Sequence, residues 1–155
     1  MPTIEQLIKQ PKFKDEKHKA VISLTYSAGL LSTFWEDFFG RYNLTSQQYN
    51  VLRILRGQHP KPASINLIRE RMMDKMSDAS RLVERLRKAG FVERTVRKDD
   101  RRAVDVMITQ KGLDVLEEID RREEKDHKPT KYLTADEANK LSELLGKIIN
   151  ALTEE

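Results

Sequence analysis

Between Lys75 and Thr109 a helix-forming stretch, a glycine and a charged hairpin follow one another without a gap: KMSDASRLVERLRKAGFVERTVRKDDRRAVDVMIT. From Met76 to Ala89 the apolar residues are Met76, Ala79, Leu82, Val83, Leu86 and Ala89, a three-to-four spacing that makes one face of a helix. The other face is polar and carries Lys75, Ser77, Asp78, Ser80, Arg81, Glu84, Arg85, Arg87 and Lys88. Asp74 or Ser77 can cap the exposed amides at its start. Gly90 stops the helix, because a left-handed residue there costs glycine no Cβ clash.

After Gly90 the period changes from helical to alternating. Val104, Val106 and Ile108 fall on one face of a strand, and Ala103, Asp105 and Met107 on the other. Phe91 to Val96 supplies its antiparallel partner. The six residues Arg97 to Arg102 contain nothing apolar, so they form a solvated loop. From Lys75 to Arg102 there are ten Lys or Arg against five Asp or Glu, whereas the whole chain carries only +4. The basic surplus is therefore local to this unit, the charge layout of a surface that meets a polyanion.

These residues closely resemble the winged-helix regulators of the multiple-antibiotic-resistance regulator (MarR) family. The resemblance is carried by Ser80-Arg81-Leu82-Val83-Glu84-Arg85-Leu86, Lys88-Ala89-Gly90-Phe91-Val92-Glu93-Arg94, Asp100-Arg101-Arg102-Ala103-Val104 and Ile108-Thr109-Gln110-Lys111-Gly112. Where the family's wing usually reads Asp-Pro, this chain has Arg97-Lys98, which makes the loop tip more basic and less constrained. The resemblance covers the chain from about Leu24 to Leu152 and implies a homodimeric transcription factor that binds a pseudo-palindromic operator in double-stranded DNA. Repression is the family's commonest mode.

The rest of the chain fits that plan. Ile4, Leu7 and Ile8 make one short amphipathic turn before Pro11, and charged residues lead into a long helix bearing Val21, Leu24, Ala28, Leu31, Trp35, Phe38 and Tyr42. Thr45-Ser46-Gln47-Gln48 is a capping box for a second helix ending near Gly57, before His59-Pro60-Lys61-Pro62. Ser64 caps a third helix with Ile65, Leu67, Ile68 and Met72, the first of a helix-turn-helix whose second begins near Lys75. Thr109 caps the next helix, and Pro129 interrupts the chain. Thr134-Ala135-Asp136-Glu137 opens a last helix with Ala138, Leu141, Leu145, Ile148 and Leu152 along one side.

The expected fold is mainly α: a winged helix-turn-helix with a two-stranded β wing, flanked by N- and C-terminal helices that form a dimerisation base. Residues 1–44 form the N-terminal dimerisation region, 45–110 the DNA-binding domain and 111–155 the C-terminal dimerisation helices. Leu24 and Leu31 of the first helix, with Leu141, Leu145, Ile148 and Leu152 of the last, bury one another across a two-fold axis. DNA contact is assigned to Lys75, Ser77, Asp78, Ser80, Arg81, Arg85, Arg97, Lys98, Asp100, Arg101 and Arg102. In this arrangement Arg81 addresses a base edge, and Arg102, held by Asp100, enters the minor groove. The plain alternative for Asp100 and Arg102 is a surface ion pair.

Trp35, Phe38, Phe39, Tyr42 and Tyr49 sit where members of the family can form a pocket for a small aromatic effector; as aromatics at helical spacing they also read as ordinary core. His18, His59 and His127 are scattered and form no metal-binding pair. No phosphate-cradling glycine loop, activated nucleophile or catalytic carboxylate cluster is found, so no enzyme and no cofactor are expected. The chain has no cysteine, which excludes thiol redox chemistry. No run approaches the ~20 apolar residues of a membrane span, and MPTIEQLIKQPKFKDE lacks a signal-peptide core, so a cytoplasmic location is expected. The competing function is a winged-helix module that binds a protein rather than DNA.

Overall fold

The computed structural model of the chain describes residues 1–97, 103–126 and 129–154, with the side chains of 123–126 outside the description. The elements in order are α1 (Ile4–Leu7), α2 (Glu16–Gly40), α3 (Ser46–Gln58), β1 (Ala63–Ser64), α4 (Ile65–Arg71), α5 (Ala79–Lys88), β2 (Val92–Val96), β3 (Val104–Ile108), α6 (Gln110–Asp126) and α7 (Ala135–Thr153). They fall into two compact units, Met1–Glu117 and Glu118–Glu155.

In the first unit the helix starts follow the polar residues that can satisfy free amides. Asp15 accepts from His18 N at 2.8 Å, Thr45 and Gln48 form a reciprocal box, and Ser64 accepts from Leu67 N at 3.1 Å. Each such cap stabilises its helix by about 1 kcal/mol. The core sits around α3, whose Val51, Leu52, Ile54 and Leu55 are buried and which packs on α2, α4, α5 and β3. Ile68 of α4 and Met72 at its C-cap are buried with it, as are Ala79, Leu82, Val83 and Leu86 of α5. Burying one such large aliphatic side chain stabilises by roughly 1.5–3 kcal/mol, so the apolar stripe of α5 fixes which side of that helix faces outward.

The sheet has three strands in the order β1-β3-β2, all antiparallel: β2 and β3 form the expected two-stranded wing, and β1 adds a short strand to the other edge of β3. Val92 pairs with Ile108 and Val96 with Val104, while Ala63 pairs with Val106 on the other edge of β3. Two residues are too few to show a period, yet Ala63 and Ser64 fill an edge whose amides and carbonyls would otherwise be unpaired. Alternation along β3 holds: Val106 and Ile108 are buried and Met107 is exposed.

The helix after the turn is shorter than its periodicity predicts. It begins at Ala79 rather than Met76, and Met76 is 95% exposed instead of belonging to the apolar face. The cause is Asp74, whose carboxylate accepts from Met76 N at 2.9 Å and from Ser77 Oγ at 2.6 Å, closing a local turn that competes with the helix. The cap is therefore neither Asp74 nor Ser77 but Asp78, which accepts from Arg81 N at 3.2 Å.

At its other end α5 closes in a Schellman motif. Gly90, at φ +79°, donates to Arg87 O at 2.9 Å, and Phe91 N donates to Leu86 O at 3.0 Å. Residues 109–112 then clamp this end. Thr109 Oγ1 donates to Gly90 O at 2.8 Å, and Lys111 Nζ donates to Ala89 O at 2.7 Å while lying 4.8 Å from the Phe91 ring centre. Gly112 N donates to Thr109 Oγ1 at 3.2 Å.

The second unit holds the end of α6 and all of α7. Thr134 and Glu137 form the expected box at the start of α7: Thr134 N donates to Glu137 Oε2 at 2.8 Å and Glu137 N to Thr134 Oγ1 at 3.3 Å. No residue of α7 is buried, and Leu141, Leu144, Ile149 and Leu152 are all exposed. Among the described residues no helix is long and apolar enough to cross a membrane.

Candidate nucleic-acid interface

With Ala79, Leu82, Val83 and Leu86 turned into the core, α5 presents Ser80, Arg81, Arg85 and Lys88 to solvent. Glu84, the one acid on the helix, is bonded twice to Arg87, at 2.9 Å through Nε and 2.8 Å through Nη2. Those bonds hold the Glu84 carboxyl below the usual carboxylate range. The acid is thereby matched within the helix, and the cations beside it remain as the net charge of the outward face.

The turn ahead of α5 is built from side-chain bonds. Asn50 Oδ1 on α3 accepts from Met73 N at 2.9 Å. Lys75 is exposed, and its ammonium donates to Glu70 O at 2.6 Å at the end of α4, where a cation is favoured by the helix dipole. Half-buried Ser77 donates to Asp74, and that bond is the largest cause of the lowered Asp74 pKa. Ser77 and Asp78 thus shape the turn and cap the helix. Exposed Arg97 closes the root of the hairpin with its backbone, its amide donating to Ala103 O at 3.0 Å. Lys98, Asp100, Arg101 and Arg102 lie outside the described residues.

The five aromatics assigned to an effector pocket come together as one cluster of stacked and edge-on rings from α2, the turn after it and α3. Trp35 lies 5.4 Å from Phe39, Phe39 lies 4.1 Å from Tyr49, and Phe38 touches Trp35, Phe39 and Tyr42. Phe38 and Phe39 are buried, whereas Trp35, Tyr42 and Tyr49 are partly exposed. Tyr49 Oη accepts from Arg53 Nη1 at 2.9 Å. The Tyr42 hydroxyl is buried and has no hydrogen-bond partner among the described residues. No group of three or more His, Asp or Glu among those residues can hold a metal ion.

A family model described as the MarR family matches residues 44–104, the stretch that contains the turn, α5 and the hairpin. The HTH-type transcriptional regulator MgrA of Staphylococcus aureus is 30% identical over 116 residues, which cover 75% of this chain and 77% of that protein. The chain belongs to the MarR family. The HTH-type transcriptional regulator PapX of Escherichia coli is 28% identical over 83 residues, covering 54% of this MarR-family chain and about half (51%) of PapX. A mutant MarR from E. coli, solved complexed with operator DNA, aligns over 88% of this chain and 98% of its own with a TM-score of 0.72; at 22% identity it speaks for the fold. This MarR-family member is accordingly a transcriptional regulator with a winged helix-turn-helix.

Three structural residues of the MarR-type head were not singled out by their chemistry. Asn50 looks in sequence like any polar residue of a helix. Lys111 and Gly112 belong to the matched motif, but their work appears only in three dimensions, where one caps α5 and the other lets α6 approach the hairpin root. The usable signal was the glycine itself, two residues into a helix that it should weaken.

Proposed function

We propose that this regulator is a cytoplasmic homodimeric repressor that binds a pseudo-palindromic operator through α5 and the wing and releases it when a small aromatic ligand binds. The observation that carries the DNA reading is the outward face of α5: its apolar stripe is buried against α3, so Arg81, Arg85 and Lys88 point away from the core. Arg81 bonds a base edge in the major groove, Arg85 and Lys75 contact phosphates, and Arg102 beside Asp100 enters the minor groove with Arg97, Lys98 and Arg101 along the backbone.

Binding of operator variants at several salt concentrations tests this. Arg81→Ala should relax preference at one symmetric pair of positions, a discrimination of roughly 1–3 kcal/mol. Arg102→Ala should weaken all variants and flatten the salt dependence by about one unit per arginine lost. If neither variant changed binding, the assignment would fail. A wild-type affinity for duplex that is insensitive to salt would favour a protein partner instead.

The dimer reading rests on α7, none of whose residues is fully buried in its own chain, and on the exposed Val21, Leu30 and Leu31 of α2. A second copy covers Leu24, Leu31, Leu141, Leu145, Ile148 and Leu152. The effector reading rests on the Trp35 ring cluster and on the Tyr42 hydroxyl, a buried polar group without a partner among the described residues that costs about 1–3 kcal/mol until something bonds it. A carboxylate or hydroxyl on an aromatic ligand meets that need. Ligand binding should quench Trp35 fluorescence and weaken the operator, and by linkage DNA must weaken the ligand by the same factor. A ligand panel that changes neither would leave the stack as plain core.

A further inference from the structure

Met73 and Met76 are 86% and 95% exposed, although the backbone beneath them is firmly held. The Met73 amide is bonded to Asn50 and the Met76 amide to Asp74, each at 2.9 Å. An apolar side chain on loose backbone is unremarkable, but here the fold spends bonds from α3 and from Asp74 to fix a turn that displays two thioethers to water. Met76 stands two residues ahead of the Asp78 cap, at the end of α5 that enters the major groove first in a helix-turn-helix. Lys75 and Arg81 flank it, and the local surplus of five positive charges draws a polyanion to this surface.

The major groove offers one apolar group for such a side chain, the C5-methyl of thymine. Methionine suits it, since an unbranched, polarizable side chain adapts to an irregular apolar contact without the polar atoms that a base edge would have to satisfy. We propose that Met76 is a specificity-determining residue that packs its thioether against a thymine C5-methyl in the major groove. The proposal rests on α5 being the DNA-reading helix. Met73, two residues beyond the end of α4 and six before the start of α5, lies earlier in the same turn and serves as the control.

The test uses the full-length protein and the tightest duplex that it selects from a random-sequence library. Each thymidine of that duplex is replaced in turn by deoxyuridine, which removes only the C5-methyl. Wild type should lose about fourfold in affinity per methyl at one symmetry-related pair of thymidines, the expectation for one buried carbon, and nothing elsewhere. Met76→Ala should bind the parent duplex with the same salt slope but be blind to deoxyuridine at that pair, whereas Met73→Ala should keep the wild-type sensitivity. Because Met76 is nearly fully exposed, its replacement leaves the fold intact. A flat deoxyuridine scan with wild type, or an unchanged scan with Met76→Ala, overturns the contact while leaving the DNA reading in place. Selection of no duplex at all by wild type overturns both.

Discussion

Gly112→Ala should damage this protein far more than its one added carbon suggests. A Cβ at position 112 would lie 2.5 Å from Phe91 O and 2.6 Å from Ile108 Cγ1, against about 3.4 Å for ordinary contact, so the groups must separate by nearly an ångström. Neither can give cheaply. Phe91 O already accepts from Thr109 N at 3.0 Å, and Ile108 is buried and paired with Val92 across the sheet. Overpacking of this kind costs roughly 1–3 kcal/mol. Moving α6 also strains the Thr109–Gly90 and Lys111–Ala89 bonds, together worth about 2 kcal/mol. Alanine returns about 1 kcal/mol in helix propensity. The net expectation is a loss of about 2–4 kcal/mol, read as a lower urea midpoint at unchanged slope and one fixed protein concentration. Gly57→Ala is the control: nothing lies within 4 Å of its added carbon, so it should be neutral or stabilise by up to about 1 kcal/mol. Equal midpoints for Gly112→Ala and wild type would refute the account of the α6 approach.

Asp78→Ala removes the cap of α5 and should lower stability by about 1 kcal/mol in the same urea assay; no change would mean that Ser77 or water replaces it. Leu145→Glu should convert the proposed dimer to a monomer or prevent folding, and light scattering that finds a folded monomer for wild type at micromolar concentration would sink the dimer reading. Glu5 is bonded to Lys19 at 2.6 Å, and this holds its carboxyl down at about 2, so the tie between α1 and α2 is intact above the ordinary carboxylate pKa and is lost as pH falls toward 2. An NMR titration of Glu5 should show that depressed midpoint and its rise toward the ordinary range in Lys19→Ala, where the backbone and Thr3 bonds still hold it partly down; an ordinary midpoint in wild type would remove the tie.

Much of the fold was legible because its signals are local. The Thr45–Gln48 and Thr134–Glu137 boxes, the Ser64 cap, the Gly90 stop and the alternation of Val104, Val106 and Ile108 each lie within a few residues, and the chain obeys them. The misses have local causes too. Met76 sits at helical spacing from Ala79, but periodicity cannot see that the Asp74 carboxylate has already taken the Met76 amide. The β1 strand is only Ala63 and Ser64, too short to carry a pattern. Bonds that span 23 residues from Asn50 to Met73, or 22 from Lys111 to Ala89, leave no periodic trace at all.

An amphipathic pattern says which face of a helix is polar, not which polar groups on it are already occupied. In and before α5, Asp74 and Ser77 bond one another, Asp78 caps, Glu84 and Arg87 pair, and Lys75 spends a proton on Glu70 O. From sequence, Lys75, Ser77, Asp78, Ser80, Arg81 and Arg85 on this stretch are the partners expected for DNA, with Arg81 at a base edge. Setting aside those engaged in holding the turn leaves Ser80, Arg81, Arg85 and Lys88 on the helix and the thioether of Met76 ahead of it, with the remaining donors of the exposed Lys75 ammonium left for a phosphate. On the proposed reading, base discrimination by α5 falls on few side chains, each placed by backbone that other residues fix. Substitutions at Asn50 or Asp74, which hold that backbone, should therefore change operator affinity through geometry, while those at Arg81 or Met76 change which sequence is preferred.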